Sequence, residues 1–453
     1  MIFVKKNQLF EQYTLNISKI LFFLLIVSLF FPIRHVFFTN SAFQTGAYSD
    51  FTSFSLYLSD ILLFLLFLSI IVPRGKEFLL AFKSQMSIIF FIIWLILAII
   101  WHFRTFSSLN WYFLLKYAEL IVSYGTIAIF LKDLSIKKAF LWLFVSLGAG
   151  QALLALWQFI FQKSIGIKIL GENLLNPEIL GVAKIVSGGT KLIRGYGTFP
   201  HPNLLSAFLV TAIMFSLYLM LNAKKRGEKL LLSTLLFLNI IGLTVTFSRS
   251  AYLALGIGSS LYFGYLLAKT AENITKKKIA AILMIFSSAV IISFLLFRPY
   301  ILTRTTITDQ ASIERSTYNK IGLKIIKDHP LFGTGIGESV LHMEQYSKTK
   351  LEPWQKQPIH NYFLLAAAEL GIPGALILLW IFLSSLKSLI PASPAGRLNL
   401  KSNFTTYYLL LATVLLSFFI LMQFDHYFYT LEQTQMLLWI TLGVIAAETN
   451  YAL

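Results

Sequence analysis

Three stretches set basic and polar side chains at the thresholds of apolar runs. IRGYGTFPHPNLLSAFL (193–209) carries Arg194, His201 and Asn203; TFSRSAYLAL (246–255) carries Ser248 and Arg249; PIHNYFLL (358–365) carries His360 and Asn361. Arginine presents a planar fork of donors that matches phosphate oxygens. A helix start adds unpaired N–H groups and roughly half a positive charge. Such mouths, brought together by packing, make a binding site for an anion. Arg315, in IERSTYNKIGLKIIKDHPLFGTGIG, and the neighbours Asp425 and His426 are further candidates at the same end. Each has a plainer reading beside it: Arg249 as a snorkelling interface arginine, Arg315 as part of a solvated helix face, His201 as a loop residue between prolines.

The elements that must position these residues are apolar. The chain has 453 residues, of which 57% are hydrophobic and 13% charged, against about 25% charged in soluble domains. Runs of about 20 apolar residues, enough to cross ~30 Å of hydrocarbon, recur near 17–37, 52–73, 86–103, 111–131, 139–162, 203–222, 229–247, 250–268, 279–297, 361–386, 404–424 and 434–448. The pattern predicts an all-α, polytopic integral membrane protein with about twelve transmembrane helices. Lys5/Lys6, Arg74/Lys76/Lys83, Lys132/Lys137/Lys138, Lys224/Lys225/Arg226/Lys229, Lys276/Lys277/Lys278 and Arg397/Lys401 fall in alternate connections. The positive-inside rule then puts both termini in the cytoplasm and all three mouths outside. The net charge of +18 lies in these short clusters, which suits anionic lipid headgroups and the positive-inside rule rather than nucleic acid.

Lys5 and Lys6 precede an apolar run too long for a signal-peptide core, so the first run reads as an uncleaved anchor. Two connections, about 163–202 and 298–360, are long and fall outside; the second is expected to hold a short amphipathic helix on the outer surface. Within the spans, Lys116 and Glu119 stand i,i+3 and neutralise one another on the simplest reading, Asp60 is a further intramembrane charge, and Glu369 reads as a hydrogen-bonding group in the bundle. No paired aspartates and no closely spaced histidines suggest a metal site. GTGIG (333–337) follows no strand, so it is not a dinucleotide fingerprint. No serine-hydrolase elbow and no cysteine are present, and no cofactor is expected.

Two longer patterns are familiar. Arg249-Ser-Ala-Tyr-Leu253 fits R-x3-L, and His360-Asn361, nine residues, then Gly371-Ile-Pro-Gly374 fits H-[NSQ]-x9-G-x-x-G. With GTFPHPN, the 314–337 stretch and the late Asp425, they make the chain resemble the O-antigen ligase and polymerase superfamily of membrane glycosyltransferases, including Wzy-type polymerases and protein O-oligosaccharyltransferases. The resemblance is strongest over about 190–445, within a single transmembrane domain, 1–453, whose 298–360 segment is a large extracytoplasmic loop. It implies transfer of a glycan from a polyprenyl (undecaprenyl) diphosphate carrier to a glycan, lipid or protein acceptor at the outer face of the inner (cytoplasmic) membrane, without metal. It implies that Arg249 and Arg315 hold the diphosphate, that His360 assists the acceptor, and that Asp425 orients His360 or another basic partner. Arg194, His201, Asn203, Ser248, Asn361 and His426 are the remaining expected substrate contacts.

That chemistry suits the residues. An acceptor hydroxyl needs a base, and neutral imidazole is competent near pH 7. A leaving diphosphate needs fixed positive charge, which arginines and helix starts supply. The competing class is a transporter or flippase of the same lipid, which calls for charges at mid-membrane; Asp60, Lys116 and Glu119 speak for it.

Overall fold

The computed structural model describes residues 2–83, 85–269, 273–303, 310–390 and 403–449. Of the basic clusters read for orientation, Arg397 and Lys401 lie outside these residues, as do the side chains of Lys5 and Lys6. The fold is all-α with two small hairpins. In chain order the elements are α1 (Ile2–Phe30), β1 (Arg34–Phe37), β2 (Phe54–Tyr57), α2 (Leu58–Lys83), α3 (Met86–Trp101), α4 (Ser108–Phe130), α5 (Leu134–Phe161), β3 (Lys184–Ser187) and β4 (Thr190–Ile193). There follow α6 (Pro202–Asn222), α7 (Arg226–Val245), α8 (Arg249–Lys269), α9 (Asn273–Leu302), α10 (Gln310–Asp328), α11 (Ser339–Tyr346), α12 (Tyr362–Ser388), α13 (Asn403–Met422), α14 (Tyr427–Thr430) and α15 (Glu432–Thr449). Nine of the described helices are long and apolar enough to cross a bilayer, and the apolar segments Asn16–Phe30 and Met86–Trp101 are shorter. With α15 they account for the twelve expected places.

α6 is apolar all round and buried almost throughout, as a central helix must be. It packs against α5, α7 and α13, and Phe208 meets Phe30 of α1 edge-on at 5.0 Å and Phe144 of α5 face-on at 5.8 Å. α9, by contrast, stands at the periphery and exposes Ile291 and Leu295.

The first two expected spans need correction. Residues 34–37 and 54–57 form no helix; β1 and β2 pair antiparallel, Arg34 opposite Tyr57. Pro32 cannot extend α1, and Arg34 is held outside it by Asp50 at 2.7 Å and the Tyr57 hydroxyl at 3.1 Å. The expected helix in the 298–360 stretch is present as α10, which packs on α11 and α12.

α12 is broken in its middle. Gly371 has φ +76° and ψ 170°, and a Cβ there would sit 1.8 Å from the Leu331 carbonyl oxygen, so only glycine fits. The break frees carbonyls that the 330–337 segment and α3 satisfy. Ala368 O accepts from Thr334 N at 2.9 Å, Glu369 O from Gly335 N at 3.2 Å, and Leu370 O from the Trp94 indole at 2.9 Å, while Ile372 N donates to Pro330 O at 2.9 Å. The Glu369 carboxylate accepts from Gly337 N and the Ser339 hydroxyl, both at 2.7 Å. GTGIG is thus an arm docked on a helix break, and Gly374 admits the Trp94 ring that its Cβ would strike.

Candidate active site

The mouths of α6, α8 and α12 meet at one end of the bundle. Arg194, at the end of the β3–β4 hairpin, is buried; it donates to Thr246 O at 2.5 Å and to the Asn203 amide oxygen at 2.6 Å. This ties the loop before α6 to the turn between α7 and α8. Asn203 passes the link on, its amide nitrogen donating to Asp425 at 2.9 Å. The Arg315 guanidinium of α10 stands 3.5 Å from the same carboxylate oxygen. Asp425 therefore faces an arginine carried on α10.

The loop before α6 is held from below by two amides in α5. Gln158 accepts from Tyr196 N and Gly197 N, and Gln151 accepts from Thr198 N at 2.8 Å. Spaced i,i+7, these glutamines share one face of α5. That spacing in an apolar span was the only sequence signal for them.

At the second mouth, Phe247 adopts φ +46°, an unusual conformation for an aromatic residue. Its ring is buried against Phe159 at 5.1 Å, and the turn so fixed carries buried Ser248, whose hydroxyl lies 3.4 Å from that of Ser250, and Arg249. Arg249 opens α8 and donates to the Ser312 hydroxyl of α10 at 2.9 Å. Ser312 is one turn before Arg315, so both arginines are gathered by α10.

At the third mouth, Asn361 caps α12, its side-chain oxygen accepting from Phe363 N and Leu364 N at 3.0 Å each. Its amide nitrogen reaches Gln423 O at 3.2 Å. His360 precedes the cap. Its Nδ1 lies 2.9 Å from Pro358 O; a carbonyl only accepts, so Nδ1 bears the proton and Nε2 keeps a lone pair in the neutral ring. The ring stacks on Tyr318 of α10 at 5.2 Å and meets His426 edge-on at 4.9 Å. Withdrawal from water holds the His360 imidazole below its ordinary value; Asp425 opposes that shift and Arg315 adds to it. His360 is therefore neutral near pH 7.

His201 caps α6, its Nδ1 accepting from Asn203 N at 3.2 Å and lying 3.0 Å from the Tyr427 hydroxyl. Burial, with Arg194 and Arg315 nearby, pushes it well below the ordinary value. His426 is shifted the same way by burial and by His360, and its Nδ1 lies 2.7 Å from the Thr430 hydroxyl. The end of the bundle thus holds neutral imidazoles beside permanently charged guanidinium groups.

His360, Asp425 and His426 also place one ligand atom each within 4.8 Å of one another, a grouping that their separation in sequence conceals. Two imidazoles and a carboxylate are a donor set that transition metals accept. Here the carboxylate already serves Asn203 and Arg315, so an added cation would compete with a guanidinium.

At the starts of α2 and α15, Lys116 is salt-bridged not to Glu119 alone (3.1 Å) but also to Asp60 of α2 at 2.5 Å and Glu432 of α15 at 3.4 Å. Glu432 had no signal in the sequence beyond its position at a helix start. The lysine stands where a cation would sit among the three carboxylates and locks α2, α4 and α15 together.

A family model for O-antigen ligases matches residues 234–379. The matched stretch supports a place for the chain in the O-antigen ligase and polymerase superfamily. The matched region runs from α7 into α12 and so contains Arg249, Arg315 and His360. Arg194, His201 and Asn203 precede it, and Asp425 and His426 follow it, yet their hydrogen bonds and ring contacts reach into its mouth. No curated protein matches the chain. The family supports glycan transfer of the O-antigen ligase type in general terms, from a lipid-linked donor to a glycan acceptor.

Proposed function

We propose that the protein transfers a glycan from a polyprenyl diphosphate carrier to an acceptor hydroxyl at the outer face of the cytoplasmic membrane, with His360 as base and without a metal ion. The observation that carries this reading is the meeting of a neutral His360, with an unprotonated Nε2, and the α10 arginine Arg315 around one carboxylate, Asp425. The acceptor oxygen attacks the anomeric carbon, whose bond to the diphosphate oxygen breaks. The hydroxyl proton passes to His360 Nε2, and the charge left on the diphosphate is met by Arg249, Arg315 and the N-termini of α8 and α12. Arg194 and Asn203 act as positioning residues: they hold Asp425, which holds Arg315. His201, Ser248 and Asn361 fix the three mouths, and His426 packs against His360.

The test is transfer itself. Purified protein in proteoliposomes, given a glycan on undecaprenyl diphosphate and a labelled acceptor, should yield a covalent product, and EDTA should leave the rate unchanged. Loss in EDTA that Mg²⁺ or Mn²⁺ restores would make His360, Asp425 and His426 metal ligands instead.

One observation favours the transport reading: the buried cluster of Lys116 with Asp60, Glu119 and Glu432. Movement of the labelled lipid across the bilayer with no covalent product would establish it. Acceptor choice, another carrier-linked chain, a lipid or a protein, separates polymerase, ligase and protein O-oligosaccharyltransferase, and the same assay with each acceptor decides among them.

A further inference from the structure

A cavity of about 620 Å³ opens between α7, α8 and α9, within the ~300–1,000 Å³ range of ligand pockets. It starts at the mouth end, beside Thr244, Tyr252 and Ile301, and runs past Gly256 and Phe294 to Ser260 and Phe286. From Tyr252 to Ser260 is about 12 Å of helix, close to the ~15 Å depth of one hydrocarbon leaflet. Phe294 is 41% exposed, so the cavity borders the lipid-facing surface of α9.

The wall is more apolar than its composition. The Thr244 hydroxyl donates to Ile240 O at 2.8 Å, that of Ser259 to Gly256 O at 3.3 Å, and that of Tyr252 to Thr244 O at 2.6 Å. With these hydroxyl protons turned back on the helices, the surface asks for a hydrocarbon occupant. At Gly256 a Cβ would meet nothing within 4 Å, so the missing side chain is part of the void. Above Tyr252, one helical turn nearer the mouth, stands Arg249. An amphiphile with an anionic head and a long apolar tail fits this arrangement, charge on the arginine and tail below it.

We infer that the α7–α8–α9 cavity seats the proximal isoprene units of the donor's polyprenyl chain. The inference rests on the proposed reading that a polyprenyl diphosphate is the donor. It makes α8 the ruler of the donor: its first residue grips the diphosphate and the next two turns line the tail, so the anomeric carbon is delivered at a fixed height beside His360.

The experiment uses the full chain in nanodiscs and two donors bearing the same glycan on diphosphate, one with an undecaprenyl chain and one with a butyl chain. Gly256→Trp, which starts from a position where a Cβ meets nothing within 4 Å and directs bulk into the void, should raise KM about tenfold or more for the long-chain donor, as loss of a few buried methylenes requires, and leave the butyl donor unchanged. Equal effects on both donors, or none on either, overturn the inference. Should Gly256→Trp fail to fold, Ser260→Phe takes its place. An undecaprenyl diphosphate with a photoreactive group in its first isoprene units is the independent readout on the unaltered protein. Crosslinks in 252–260 and 286–294 are expected; crosslinks elsewhere while transfer proceeds overturn the inference, as does displacement of the probe from α8 by phosphatidylglycerol at equal concentration. Correct crosslinking with no transfer from any donor would leave the tail site standing and refute the transferase reading alone.

Discussion

The Asp425 oxygen that receives the Asn203 amide at 2.9 Å is the one that faces Arg315 at 3.5 Å. One oxygen atom thus couples the mouth of α6 to the arm that carries an arginine of the proposed clamp. Asp425→Asn keeps the shape and removes the charge. Loss of a charge-assisted contact of about 1.5–3 kcal/mol corresponds to a fall in kcat/KM of roughly 10–100-fold, expected in KM for the donor as Arg315 loses its anchor. The same variant tests the electrostatics. The Asp425 carboxylate raises the His360 value, so without it the acid limb of the pH–rate profile should move to lower pH. A limb that stays in place would separate Asp425 from His360.

Transfer should rise with pH as His360 loses its proton and level off at or below the ordinary imidazole value, since burial lowers it. His360→Ala should cost roughly 10²–10⁴-fold in transfer, flatten that limb and leave donor affinity unchanged. Poor donor binding by the variant would make His360 a diphosphate ligand rather than a base.

Arg249→Lys and Arg315→Lys separate geometry from charge. Lysine keeps the charge and loses the fork, and each change should lower transfer by about 10²-fold, comparable to removing one oxyanion donor. Near-normal rates at normal protein level would reduce both to interface anchors.

Orientation can be read directly, because the chain has no cysteine. Single cysteines at Lys225 and Lys277 should resist impermeant thiol reagents in intact cells, and one at Ser347 should react. The reverse pattern would turn the mouths toward the cytoplasm.

Gly371→Ala should unfold or destabilise the domain. The residue would have to hold φ +76° against the Leu331 carbonyl, at a cost of at least about 1–3 kcal/mol for the backbone alone. Thermal unfolding in detergent measures it; a wild-type Tm would show that α12 can close its break.

Much of this was legible in the chain. The three mouths were, because His201-Pro202-Asn203, Ser248-Arg249 and His360-Asn361 each join a polar cap to a sharp rise in apolarity, and their helices start there. Local periodicity also marked α10. The end of α1 was misread because Arg34–Phe37 is as apolar on one face as a helix turn, and only its pairing with Phe54–Tyr57 reveals a strand. Contacts between distant residues had no local signature. Lys116 advertised its neighbour Glu119 and concealed Asp60 and Glu432, and nothing near Asp425 announced Arg315.

The break in α12 bears on how the protein is made. A membrane helix ordinarily leaves the insertion machinery with its backbone hydrogen bonds complete, but Ala368, Glu369 and Leu370 have carbonyls whose partners lie in other parts of the chain. Bare carbonyls in hydrocarbon cost several kcal/mol each, so α12 gains nothing by settling in lipid alone. Its docking site, residues 330–337, leaves the ribosome before it does, and α3 earlier still. The break in α12 is therefore completed by tertiary capture, and the segment that completes it follows directly on α10, which bears Arg315. The assembly of α12 and that of the proposed site are thus coupled.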